Sequence, residues 1–142
     1  MIKRFEYLPK TADVRFRAFG NSIEQLLENS ALAMINVMVD YKKVRKVVEK
    51  KIFLKASNLE NLMIKFLEEI LFLLDTEGFL TAEIKEMNLN KNPQKYELRC
   101  VLLGDNNLKN YELSSGVKAV TYNDLTIKKL NSKYVAEVTL DT

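Results

Sequence analysis

Histidine is absent from the 142 residues, and cysteine occurs once, at position 100. These two facts settle much of the available chemistry. Ser-His-Asp and Cys-His catalysis need an imidazole, and zinc sites need histidine or several thiolates. Any metal held here must be bound through oxygen, which favours a hard cation such as Ca²⁺ or Mg²⁺. Cys100 lies in the alternating run Tyr96-Glu97-Leu98-Arg99-Cys100-Val101-Leu102. A buried strand position is expected for it, and no histidine is available to activate its thiol. One cysteine also excludes an internal disulfide.

Charge offers a second candidate chemistry. The formal net charge is only +3, but Lys42-Lys43-Val44-Arg45-Lys46-Val47-Val48-Glu49-Lys50-Lys51 carries six cations in ten residues. Such a patch can meet phosphates. It is also how a strand edge is kept from pairing with another chain. The stretch has no aromatic interleaving for base stacking, and the edge reading is preferred.

Periodicity then gives the elements that must position these residues. Val14 to Gly20 alternates apolar and basic residues, as a half-buried strand does. Ser22 with Gln25 forms a capping box. The helix it opens runs to about Val39 and buries Ile23, Leu26, Leu27, Ser30, Ala31, Met34, Ile35 and Met38 on one face. Val44 to Ala56 ends as a strand. Ser57 with Glu60 marks a second capping box, before a helix burying Leu59, Leu62, Met63, Phe66, Leu67, Ile70, Leu71 and Leu74. Ile64, Phe72 and Leu73 extend its apolar surface, so this second helix is expected to be the central one.

Beyond Gly78 the chain reads as all-β. Strands are expected over 79–89, 96–103, 117–121, 125–130 and 134–140, with Asn90-Lys91-Asn92-Pro93, Asn123-Asp124 and Asn131-Ser132 as turns. Asp105 to Ser115 reads as a polar loop. The fold class expected is α+β: a single compact domain over 1–142, with mixed β-sheet and two long amphipathic helices packed against it. No signal peptide is visible after Met1-Ile2-Lys3-Arg4. The longest apolar run, Ile70-Leu71-Phe72-Leu73-Leu74, is too short to cross a bilayer. A cytoplasmic protein with no membrane partner is expected.

Four segments together resemble the archease family: Tyr7-Leu8-Pro9-Lys10-Thr11-Ala12-Asp13-Val14, the helix from Ser22 to Met34, the helix segment Leu62 to Leu71, and Val117-Lys118-Ala119-Val120-Thr121-Tyr122 with the ending Leu140-Asp141-Thr142. The resemblance spans nearly the whole chain. It implies a partner protein of the RtcB-type tRNA-splicing RNA ligase, one that promotes ligase guanylylation and repeated turnover and meets tRNA through the ligase. It further implies a divalent cation, calcium with magnesium as the alternative, held by Asp13, Asp141 and Thr142. Lys118 is implied as a functional cation nearby; on its own it reads as an outward-facing surface lysine. Taken alone, Asp13 reads as a turn or cap residue and Asp141 as a solvated tail. Lys10 and Asn123 stand where the family commonly has histidine, and Pro9 where an acidic residue is often found. The alternatives are a metal-dependent phosphoester hydrolase built on the same carboxylates, an RNA-binding module using residues 42–51, and a chaperone-like role.

Overall fold

A computed structural model describes residues 3–9, 13–114 and 116–142. The strands are β1 (Phe5–Leu8), β2 (Val14–Gly20), β3 (Val48–Ala56), β4 (Leu80–Asn92), β5 (Lys95–Asp105), β6 (Ala119–Leu130) and β7 (Lys133–Asp141), and the helices are α1 (Ile23–Met38) and α2 (Leu59–Glu77). They form two antiparallel sheets, ordered β1-β2-β7-β6 and β3-β5-β4. The α+β class and the two amphipathic helices are as expected.

Both helices contact strands of both sheets, so they form a layer between them. The buried apolar residues make one continuous cluster, including Phe16, Phe66 and Phe79. The more enclosed helix is α1, not α2: every residue from Asn29 to Ile35 is buried. Ser30, Ala31 and Ala33 explain this, because short side chains let neighbouring elements approach on more than one side. The buried polar atoms on α1 are paired. Ser30 Oγ donates to the Leu26 carbonyl (2.8 Å), and Asn29 Nδ2 donates to the Phe19 carbonyl (2.7 Å). On α2, Ile64 and Leu73 are buried, but Phe72 remains 54% exposed.

The helix starts follow capping chemistry with two departures. Ser22 accepts from the Gln25 N–H at 3.1 Å, while the Gln25 side chain accepts from the N–H of Asn21 (2.6 Å) and not from that of Ser22. For α2 the cap is Asn58, which accepts from the Asn61 N–H at 2.8 Å, and not Ser57. An asparagine amide oxygen caps as well as a serine hydroxyl, and here it lies next to the first helical residue. At the other end Gly78 takes φ 64°, and the N–H groups of Gly78 and Phe79 close on the Leu74 and Leu73 carbonyls. Left-handed backbone suits glycine there.

Two expected turns differ. The β4–β5 hairpin turns at Pro93-Gln94, with Lys91 and Asn92 still paired in the ladder. Asn123-Asp124 does not end a strand. It sits in an irregularity of one long β6, where pairing passes from Thr121↔Thr139 to Thr126↔Glu137 and Asp124 takes φ 56°. Aspartate tolerates the left-handed region better than most residues, so the ladder absorbs the excess residues without breaking.

Replacing Asn58 by Ala is expected to lower unfolding free energy by about 1 kcal/mol, whereas Ser57→Ala costs a few tenths at most. Urea denaturation of the two variants measures the difference.

Candidate functional site

The site is built where the end of β7 meets the start of β2. These strands pair from Gly20↔Tyr134 to Val14↔Leu140. The ladder ends at Val14↔Leu140, and Asp13 and Asp141 are the next residues on each strand, so two segments 128 positions apart in sequence come to the same end of the sheet. Leu140 is fully buried, so by alternation Asp141 points away from the core, and it is exposed. Asp13 forms a bend before β2 and is half-buried, as is Thr142.

A third segment closes against the same end. The Lys118 N–H donates to the Asp141 carbonyl at 2.7 Å, and Ala119 pairs with Asp141 as β6 begins. Val117 beside it is buried and pins this stretch to the core, while the Lys118 side chain is exposed. The structure thus gathers all four expected residues, Asp13, Asp141, Thr142 and Lys118, at one end of three adjacent strands. Of the first signature, Lys10, Thr11 and Ala12 lie outside the described residues. Asn123 sits further along β6, its N–H on Thr121 Oγ1 at 3.2 Å. Tyr122 donates from its hydroxyl to Asn61 Oδ1 at 2.9 Å, at the first turn of α2.

The surroundings hold these strands in register. Glu137 on β7 accepts from Arg15 (2.6 Å) and doubly from Arg17 (2.9 and 2.7 Å), and Arg17 also reaches Glu6 on β1 at 3.0 Å. Charge-assisted, partly bidentate bonds of this kind are stronger than neutral ones. Arg15 Nε and Thr139 Oγ1 are buried beside them without a partner among the described residues.

The loop leading to Lys118 is anchored by a residue that sequence reasoning placed in a plain polar loop. Asp105 is only 3% exposed. It accepts from the Tyr111 hydroxyl (2.6 Å) and the Asn107 N–H (3.1 Å), and the same hydroxyl accepts from the Arg45 N–H at 2.9 Å. The Tyr111 hydrogen bond is the chief reason the Asp105 carboxyl is held below its ordinary range. Further along, the Ser114 N–H donates to the Met38 carbonyl at 2.8 Å, which satisfies the C-terminal end of α1. The available signal is an aspartate at the end of a strand with a tyrosine six residues on, and it is a weak one.

Cys100 is buried on the core side of β5, and burial pushes its thiol up to about 12. A thiol so protonated is no nucleophile near neutral pH. The site's donors are therefore oxygens only: two carboxylates with the carbonyl and hydroxyl oxygens of Thr142. Such a set fits a hard dication, whose charge would also relieve repulsion between the carboxylates. Among the described residues, no three His, Cys, Asp or Glu side chains cluster with metal-binding geometry.

The Archease protein family model matches residues 5–142. This chain belongs to the archease family. Protein archease of Methanosarcina barkeri is 37% identical over 140 residues, covering 98% of this chain and 96% of that one. Protein archease of Pyrococcus furiosus is 33% identical over 142 residues, covering 99% of each. The solution structure of Methanobacterium thermoautotrophicum protein 1598 superposes with a TM-score of 0.85 at 30% identity, over 99% of this chain and all of that one. A Thermotoga maritima crystal structure, described as an archease and possible chaperone, shares the fold at a TM-score of 0.61 and 16% identity, over 95% and 94% of the two chains. In this archease, no helix among the described residues is long and apolar enough to cross a membrane.

Tyr111→Phe removes the hydroxyl that holds Asp105 ionised. A carboxyl with a depressed folded-state pKa stabilises the fold above its unfolded value and loses that contribution as pH falls through the folded one. Denaturant midpoints measured from pH 7 down to pH 2 are therefore expected to start lower in the variant and to fall less steeply with acid.

Proposed function

We propose that this protein activates an RtcB-type RNA ligase in tRNA splicing or RNA repair, promoting ligase guanylylation and multiple turnover, and is not itself an enzyme. Membership of the archease family supports the partner role. The observation that supports this reading is the β2–β7 register, whose last pair, Val14↔Leu140, is flanked by Asp13 and Asp141, with the Lys118 N–H on the Asp141 carbonyl.

In this reading Asp13, Asp141 and Thr142 hold a divalent cation, calcium or magnesium. When bound, the cation neutralises the paired carboxylates and fixes the strand ends together. Asp13 and Asp141 supply carboxylate oxygens, and Thr142 offers its hydroxyl and its backbone carbonyl or terminal carboxylate. Lys118 presents its ammonium to solvent beside them, available to an acidic or phosphate group of the ligase. tRNA is met through the ligase, in the cytoplasm. A metal-dependent hydrolase built on the same carboxylates would have to activate water with neither a histidine nor a third carboxylate in the cluster, and no feature of the site favours it.

With the ligase of the same source and GTP, the protein is expected to accelerate covalent guanylylation. Asp13→Ala and Asp141→Ala are each expected to reduce that stimulation by at least about tenfold while keeping the thermal unfolding profile near wild type, because loss even of groups that only orient a metal's ligands costs this much. Chelator should reproduce the loss and added Ca²⁺ or Mg²⁺ reverse it. Full stimulation by either variant would remove the metal assignment, and no stimulation by the wild type would remove the ligase assignment.

A further inference from the structure

The helix layer covers one face of the β3-β5-β4 sheet and leaves the other to solvent. Ladder register arranges that open face in three rows running across the strands. Lys51, Val101 and Glu86 form the first, Phe53, Arg99 and Asn88 the second, and Lys55, Glu97 and Asn90 the third. The residues between them along the strands, including Ile52, Leu98 and Cys100, are buried on the helix side.

The middle row joins an aromatic ring to a guanidinium. Phe53 stays 42% exposed. The Arg99 guanidinium lies over its ring, with Cζ 4.3 Å from the centroid, and Lys55 Nζ approaches to 5.5 Å. A shallow cavity of about 330 Å³ opens on this face, lined by Lys51, Phe53, Glu86, Asn88, Arg99 and Val101. A second, of about 200 Å³, continues past Arg99 along Asn88, Asn90 and Glu97.

Residues 42–51 lack an aromatic. The fold supplies one two positions beyond, on the same face as Lys51, and brings Arg99 to it from another strand. Two of the run's six cations are engaged by carboxylates, Lys50 with Glu77 at 2.6 Å and Lys46 with Glu83 at 3.6 Å. Lys51 faces the open side of the sheet, in register with Phe53 and Lys55 on the same strand.

We infer that this face binds single-stranded nucleic acid, with bases stacked on Phe53 and the Arg99 plane, the amides of Asn88 and Asn90 against base edges, and Lys51 and Lys55 on the phosphates. Aromatic rings and guanidinium planes are what unpaired bases stack on, and flanking cations track the backbone. Glu86 and Glu97 are consistent with this placement, since carboxylates accept from exocyclic amino groups of bases. A protein partner fits less well. Stable protein interfaces centre on a desolvated apolar core, whereas here one ring and Val101 are surrounded by amides and charges. The inference is independent of the ligase reading and uses neither the ligase nor the carboxylate pair.

The test titrates the full chain into fluorescein-labelled unstructured twelve-nucleotide RNA and DNA, read by anisotropy between 50 and 200 mM salt. Saturable binding is expected, with a log–log salt slope of about −1.4, as two cations on the phosphates of a single strand give. Phe53→Ala and Arg99→Ala should each weaken binding at least about fivefold, Phe53→Tyr should restore it, and Asp13→Ala should leave it unchanged. Equal loss in both oligonucleotides supports a shared stacking site, and a preference for RNA supports added contacts to the 2′-hydroxyl. No binding at 50 mM salt would overturn the inference, as would binding untouched by both substitutions. Loss of ligase stimulation in Phe53→Ala without any oligonucleotide binding would overturn it in favour of a protein-docking face.

Discussion

The antiparallel pairing of β2 with β7 is the constraint on which the rest of this structure depends. It joins a segment near the start of the chain to one at its end, at a sequence separation that only the folded state can close. Loop-closure entropy opposes such a contact, so the pairing must be held by something besides its own ladder. Two things hold it. On the inner face Phe16, Ala18, Ala136, Val138 and Leu140 are completely buried against the helices. On the outer face Glu137 is gripped by Arg15 and Arg17. A slip of one residue would turn the apolar set outward and the arginines into the core, so the register is strongly specified. That register brings Asp13 and Asp141, the residues just beyond its last pair, to the same end of the sheet as a consequence of packing elsewhere along the strands.

Enclosing the helices between two sheets has a second consequence. Each sheet spends one face on the core and keeps the other for solvent, which is the usual economy of antiparallel sheets. Charged residues on those outer faces need no deep burial to be positioned, because the strands beneath them are rigid. Gly104 shows how tightly the second sheet is drawn in. A Cβ there would come within 2.0 Å of the Leu80 carbonyl, next to the register shifts by which β4 curves. The bend is built from a missing side chain and extra residues in one strand, as β-bulges and glycines do elsewhere.

Much of this was legible in the sequence, and the failures are physically specific. The periodicities of α1 and α2 gave the helices, since three- and four-residue spacing has few other causes. The β2 strand was read to its correct ends because alternation there is sharp. The cap of α2 was misplaced by one residue because Ser57 and Asn58 are both good caps, and the serine pattern matched a known box. The break in β6 was over-read: Asn123-Asp124 looks like a turn, yet the same left-handed tolerance serves a bulge. Pairing Asp13 with Asp141 could not come from spacing at all. It came from resemblance; the register adds only that both residues flank the last pair of the β2–β7 ladder. Asp105 was missed because its burial depends on Tyr111 and on the backbone of Arg45, a residue 60 positions earlier in the chain.

The open face of the second sheet shows the same limit from the other side. Read linearly, the cations of 42–51 lacked an aromatic partner, and the edge-strand explanation was preferred. β3 is indeed an edge strand, and Lys46 and Lys50 are engaged by carboxylates of β4 and α2. But a sheet surface is assembled across strands, and its chemistry is set by rows that sequence order scatters. Phe53 and Arg99 stand 46 positions apart, and register makes them neighbours with their side chains in contact. An aromatic ring kept partly in water beneath a guanidinium forgoes burial that a small substitution could have avoided. The Arg99 contact itself contributes about 0.5–1 kcal/mol at an exposed site, so the ring alone does not call for a ligand; the case for one rests on the whole row of aromatic, guanidinium, amides and flanking lysines.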